Sequence, residues 1–93
     1  MKKFNLGQVT ITRTVNDMIA DDEQFAKEVT QALRKYKNYD WGDLQKSDWQ
    51  MNDDAIEFGN DRILAAYRTS KGKVYIITEA DQSVTTILMA DEY

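Results

Sequence analysis

Residues 61–93 read DRILAAYRTSKGKVYIITEADQSVTTILMADEY, and this run limits the fold more than any other stretch of the chain. Three segments of alternating character are separated by two short polar turns, enough to form a sheet on which the preceding residues must pack. In 62–69, Ile63, Ala65 and Tyr67 share one face while Leu64, Ala66 and Arg68 share the other, as the period of a strand requires. In 73–79, Val74, Ile76 and Thr78 oppose Tyr75 and Ile77. In 84–89, Val84, Thr86 and Leu88 oppose Thr85, Ile87 and Met89. All three are rich in β-branched and aromatic residues, which suit a pleated, half-buried surface. Gly72 supplies the positive φ for the first turn, although Lys71 beside it fits a type I′ turn poorly. In the second turn, Asp81 is placed to accept from a backbone N–H two residues on. An antiparallel meander is the expectation.

The N-terminal part reads as one short strand and three helices. Residues 9–13 alternate after the turn residue Gly7. Thr14-Val15-Asn16-Asp17 then matches a capped helix start, for a short helix ending near Ala20. Over 23–37, Phe25, Val29, Ala32, Leu33 and Tyr36 make one apolar stripe, and Arg34, Lys35 and Lys37 suit the C-terminal end of the helix dipole. Ser47-Asp48-Trp49-Gln50 resembles a capping box that opens a third helix, and Gly59 is placed to end it after Phe58. The order is β-α-α-α-β-β-β. It predicts a single α+β domain over 1–93, with helices packed on a three- or four-stranded antiparallel sheet.

Ninety-three residues suffice for one core and no second. The chain has no cysteine and no histidine, which removes disulfides, thiol chemistry, a histidine general base and Cys/His zinc sites. Lys2 and Lys3 are not followed by an apolar run, so no signal peptide is expected, and no window has the length of a membrane span. A soluble cytoplasmic protein is the expectation, and no cofactor is implied. The net charge of −4 disfavours direct binding of nucleic acid, whose phosphates call for a basic surface.

The negative charge is concentrated. Residues 40–61 hold Asp40, Asp43, Asp48, Asp53, Asp54, Glu57 and Asp61 against Lys46 as the one base. Clustered carboxylates can hold a hard cation, but the EF-hand spacing is absent. They can equally meet a basic groove on a partner, or form a solvated helix face. Trp41 and Trp49, with Tyr36 and Tyr39, stand among these acids, as anchors of a protein-binding surface or as core residues. Glu79 and Asp81, with Arg62 and Arg68, are the candidates for acid–base chemistry in a small ribonuclease-like domain. No phosphate loop, nucleophile elbow or metalloprotease helix is present.

Several motifs together resemble a family of short proteins of Gram-positive bacteria. They are Phe4-Asn5-Leu6-Gly7-Gln8-Val9, Thr12-Arg13, Val15-Asn16-Asp17, Phe25-Ala26, Asp40-Trp41-Gly42-Asp43, Asn52-Asp53 and Asp61-Arg62-Ile63-Leu64-Ala65-Ala66-Tyr67. Further on, Ile76-Ile77-Thr78-Glu79-Ala80-Asp81, Ser83, Thr85-Thr86-Ile87-Leu88 and Asp91-Glu92-Tyr93 extend the likeness over essentially the whole chain. Members are carried on plasmids, conjugative elements and prophages, labelled "plasmid-related protein" or "type I restriction endonuclease subunit M". A methyltransferase needs a far larger cofactor-binding domain, and no G-x-G loop follows a strand here. The resemblance implies no catalytic residues. It implies a mobile-element context, in which small acidic proteins blunt host defence by binding a nuclease complex.

The expected function is therefore a non-enzymatic inhibitor, anti-CRISPR or anti-restriction. It would cover a basic nucleic-acid site with Asp40, Trp41, Asp43, Asp48, Trp49, Asp53, Asp54 and Glu57. The alternatives are the ribonuclease, or a homodimeric element-maintenance protein; the protein itself is expected to be a monomer or a homodimer.

Overall fold

The computed structural model describes residues 3–59 and 61–93. Its elements follow the expected order: β1 (Gln8–Ile11), α1 (Arg13–Asp21), α2 (Glu23–Lys37), α3 (Lys46–Phe58), β2 (Ile63–Thr69), β3 (Gly72–Thr78) and β4 (Val84–Met89), with a short 3-10 turn at Ala90–Glu92. The meander β2-β3-β4 is antiparallel as its alternation predicts. The sheet as a whole is mixed, because β1 joins β4 in parallel, with Thr10 opposite Thr86 and Ile11 opposite Ile87, in the order β1-β4-β3-β2. A parallel partner needs a long return path. Here α1, α2 and α3 with the two other strands supply it.

The register sorts the side chains as the alternation does. Ile63, Ala65, Tyr67, Val74, Ile76, Ile87 and Met89 form the inner face, joined by Val15 of α1 and by Phe25, Val29, Ala32 and Tyr36 of α2. The stripe of α2 is thus the helical half of the core, with Leu33 half-buried at its border. Within this core lies a polar chain. The Tyr36 hydroxyl meets the Thr78 hydroxyl at 2.7 Å, Thr78 meets Thr85 at 2.7 Å, and Thr85 donates to the Leu6 carbonyl at 2.6 Å. Burial drives the Tyr36 phenol well above its ordinary pKa, outweighing its hydrogen bonding to Thr78, so it stays protonated and can donate.

The helix starts differ from expectation. Thr12, not Thr14, caps α1: its hydroxyl oxygen accepts from the Val15 N–H at 3.2 Å. The same hydroxyl donates to Glu92 at 3.0 Å, which ties this cap to the C-terminal turn. Asp22 ends α1 and caps α2, accepting from the Phe25 N–H at 3.1 Å and facing the Lys71 ammonium at 3.3 Å. In α3 the expected box at Ser47 does not form. The helix begins at Lys46, with Gln45 as a cap that makes no side-chain bond, and Gln50 donates to Asp54 instead of reaching back. Its end is as expected: Gly59 takes the left-handed conformation (φ 65°), and its N–H bonds to the Ala55 carbonyl at 2.8 Å.

Both hairpin turns use local chemistry. Positive φ in the first falls on Gly72 (φ 110°), so Lys71 is not called on to adopt it. Asp81 accepts from the Ser83 N–H at 3.0 Å and from its hydroxyl at 2.6 Å, as its turn position predicts.

The outer edge of β2 is closed, and this closure locates α3. Asn52 donates to the Leu64 carbonyl at 2.8 Å and accepts from the Leu64 N–H at 3.1 Å. One register step on, the Ala66 N–H bonds to the Trp41 carbonyl, and the Ala66 carbonyl accepts from the Asp43 N–H at 2.7 Å. At the next step the Arg68 N–H bonds to the Asp43 carboxylate at 3.0 Å. A Cβ on Gly42, which sits at φ 74°, would collide with the Ala66 carbonyl, so this close approach requires glycine.

Two predictions follow from this architecture. Asn52→Ala is expected to cost about 2 kcal/mol, since it leaves both peptide groups of Leu64 without their partner. Gln50→Ala on the exposed side should stay within about 0.5 kcal/mol. Urea denaturation of the two variants checks the difference. The second concerns acid. Asp22 is held below its ordinary pKa by the Phe25 N–H and then by Lys71, and Glu92 is held down by the Met89 N–H. A carboxylate with a lowered folded pKa stabilises the fold above its unfolded value, and the gain is lost as pH falls through the folded value. Stability should therefore decline below about pH 4, and Asp22→Asn should flatten that decline. An unchanged slope of urea stability against pH in Asp22→Asn would remove Asp22 from the account.

Candidate functional site

The acidic stretch 40–61 divides into carboxylates that hold the structure and carboxylates that face outward. Asp40 accepts from the Gly42 N–H at 3.1 Å, shaping the turn that brings Trp41 inward. Asp43 caps the β2 edge and lies 3.8 Å from the Arg68 guanidinium. Asp53 accepts from the Trp41 indole N–H at 3.1 Å. Asp61 accepts from the Arg62 N–H at 2.7 Å. Among the described residues, the carboxylates of Asp48 and Glu57 make no hydrogen bond or ion pair, and Asp54 meets Gln50 alone. No three acidic side chains among the described residues converge to hold a metal ion.

The tryptophans separate in the same way. Trp41 is 0 % exposed and lies in an aromatic cluster with Phe4, Tyr36 and Tyr39, its ring centroid 5.3 Å from that of Tyr36 and 5.9 Å from that of Phe4. The edge-on contacts of Trp41 with Tyr36 and Tyr39 favour the ring quadrupoles and add to the burial of the large indole. Trp49 is half-buried, packs against the core and donates its indole N–H to the Gly42 carbonyl at 3.3 Å. Both indoles serve the packing of α3 and its approach loop. Tyr67 completes the region by donating to the Asp40 carbonyl at 2.7 Å; burial, then Tyr36 and Asp40, holds its phenol far above the ordinary pKa.

The outward face of α3 carries what the sequence reading missed. Asn52, Ala55 and Ile56 point inward. At the helical spacing, Ser47, Met51, Asp54 and Phe58 then form the outward ridge, with Gln50 and Glu57 beside it. Met51 is 61 % exposed and Phe58 is 70 % exposed, unusually high for large apolar side chains next to free carboxylates. The signal available in the sequence is that Met51, Ala55, Ile56 and Phe58 spread too widely around α3 to be buried together, and the structure buries Ala55 and Ile56. Beside the ridge, Leu44, Asp48, Met51, Asn52, Arg62 and Leu64 line an open groove of about 520 Å³.

The ribonuclease candidates divide between the two ends of the sheet: Arg62 and Glu79 each stand one position beyond the Ile63–Thr78 pair, and Arg68 lies at the opposite end. Arg62 precedes β2 and Arg68 lies near its far end, paired with Asp43. Glu79 follows β3, and Asp81 is engaged by Ser83 in the turn, which lowers its pKa through those hydrogen bonds. Arg62 stacks over the Tyr93 ring at 5.4 Å. No helix among the described residues is long and apolar enough to cross a membrane. Compared with models of protein families, with curated proteins and with solved structures, the chain has no match.

The two indoles should be separable by spectroscopy. A Trp49→Phe chain, with Trp41 as its one indole, is expected to emit at short wavelength and resist quenching by acrylamide. A Trp41→Phe chain should show a more accessible Trp49. Trp41→Ala should cost about 3–5 kcal/mol, as large aromatic deletions from a core do, with Trp49→Ala costing less. Equal quenching in the two single-indole chains would contradict the placement of Trp41.

Proposed function

We propose that this chain is a non-enzymatic binding protein that presents the outward ridge of α3 to a basic surface on a partner. The observation that carries this reading is the pair Met51 and Phe58, exposed on one helix face around Asp54, with Glu57 on one flank and Asp48 on the other, groove-side flank. An apolar anchor pair fills a pocket, and carboxylates at the rim steer association and fix register. Lys46 at the start of α3 is the one base of the helix, and Arg62 before β2 adds a positive charge in the groove it shares with Asp48 and Met51.

The resemblance to proteins of plasmids, conjugative elements and prophages supports a partner class. It is a host-defence nuclease complex in the cytoplasm, of CRISPR or restriction type, whose basic nucleic-acid groove α3 would cover. In this reading Asp48, Asp54 and Glu57 contact the partner. Asp40, Asp43, Asp53, Trp41 and Trp49 hold α3 and its loop in place, because their polar atoms are already engaged within the chain.

The test is capture from a host lysate on tagged protein, washed at low and at high salt, followed by affinity measurement on the recovered nuclease. Binding should weaken with salt, since exposed charges are screened. Met51→Ala with Phe58→Ala is expected to weaken affinity by about 30-fold, the scale of a hot spot. Reversal of Asp48, Asp54 and Glu57 to lysine should slow association about 10-fold or more. Full affinity in both folded variants would sink the proposal, as would cleavage of RNA by the purified chain.

A further inference from the structure

The two edges of the sheet are treated in opposite ways. At the β2 edge, Asn52, Trp41 and Asp43 occupy the outward peptide groups of Leu64, Ala66 and Arg68. At the β1 edge, Gln8 and Thr12 donate to Ser83 and Ile87 of the β4 side. In a parallel ladder alternate residues face the neighbour, so Val9 and Ile11 direct their N–H and C=O groups away from the sheet. Their side chains are 43 % and 38 % exposed. Native edges are normally blunted by shortness, charge, proline or a bulge, and of these β1 has only its length of four residues. The β1 strand Gln-Val-Thr-Ile has no charge and no proline, and it pairs with β4 in unbroken register.

We propose that the bare β1 edge pairs antiparallel with β1 of a second copy of this chain, about a two-fold axis through Thr10. The strand is complementary to itself in that arrangement. Val9 falls opposite Ile11 of the second copy and Ile11 opposite Val9, each pair exchanging both of its outward N–H and C=O bonds. The two exposed β-branched side chains then meet as apolar cross-strand pairs on the helix side of the sheet. No like charges are opposed: the next residues outward place Gln8 against Thr12, and Gly7 against Arg13. The acidic helix α3 lies beyond β2, at the far side of the sheet, roughly 14 Å of strand spacings away. Two copies joined at β1 therefore keep their negative faces apart and share one continuous sheet. A second copy fits better than an unrelated strand because Val9 and Ile11 satisfy each other in both directions.

A ribbon this short buries less than a standard interface, so exchange between monomer and dimer should fall at accessible concentrations. Sedimentation velocity from about 10 µM to about 1 mM should show reversible dimer formation, the range expected for a small interface. Hydrogen exchange of the intact chain identifies the edge. The Val9 and Ile11 amides should become protected as concentration rises, while those of Gln8, Thr10 and Thr12 are protected throughout. Ile11→Lys, and separately Val9→Lys, should keep the chain monomeric while the circular dichroism spectrum is unchanged. Dimer absent at about 1 mM would overturn the proposal. So would a dimer that persists in either folded lysine variant, or one that leaves Val9 and Ile11 unprotected. These readouts are independent of partner binding by α3, so failure here leaves that reading intact.

Discussion

A sheet edge inside a folded protein must have its peptide groups satisfied, and at β2 this requirement organises half of the molecule. The strand is buried on its inner face by α2 and bounded along its edge by side chains and backbone of residues 41–52. Helix α3 consequently lies along the edge of the sheet, where Asn52 can address Leu64 in both directions. The loop before it must run flush against Ala66, which explains why Gly42 is glycine and why the Asp40 carboxylate turns back onto the Gly42 N–H. Once α3 is held there, its opposite side has nothing of this chain to pack against. The exposure of Met51 and Phe58 is thus a geometric result of edge closure.

The same constraint explains which carboxylates are available to a partner. A cluster of acids on one segment looks uniform in sequence, yet each carboxylate has a different task once the backbone is folded. Asp53 meets the indole donor of the buried Trp41, which would otherwise lose a hydrogen bond, and Asp43 holds the Arg68 N–H at the exposed end of the β2 edge. Among the described residues, Asp48 and Glu57 make no such bond. The charge that remains for intermolecular use is narrower than the sequence cluster, and it flanks the exposed apolar pair on its two sides.

Much of the fold was legible because period-two alternation survives in all three C-terminal strands, and a one-residue slip would have inverted Thr78, Thr85 and Tyr67. The stripe of α2 was equally clear, since Phe25, Val29, Ala32 and Tyr36 lie on one face. The starts of α1 and α3 were misread for a shared reason. Thr12 competes with Thr14, and Gln45 with Ser47, and the choice depends on where the preceding strand or loop releases the chain. The parallel placement of β1 was hidden as well, because strand direction is set by the path of the connection and leaves no mark on Val9-Thr10-Ile11. At the site, the indoles could not be apportioned from sequence: Trp41 and Trp49 differ in depth because of one turn at Gly42.

The join between β1 and β4 has a kinetic meaning. Thr10 and Thr86 touch across 76 positions of sequence, so this pairing closes nearly the longest loop available to the chain. Contacts of such separation carry the largest closure entropy and form late. The hairpins β2-β3 and β3-β4 are local by comparison, and the helix pair α1-α2 is local too. On the ribosome, β1 is made first yet has no partner until β4 is made. During that interval Val9 and Ile11 belong to an unpaired apolar segment of the nascent chain, open to whatever strand or chaperone it meets.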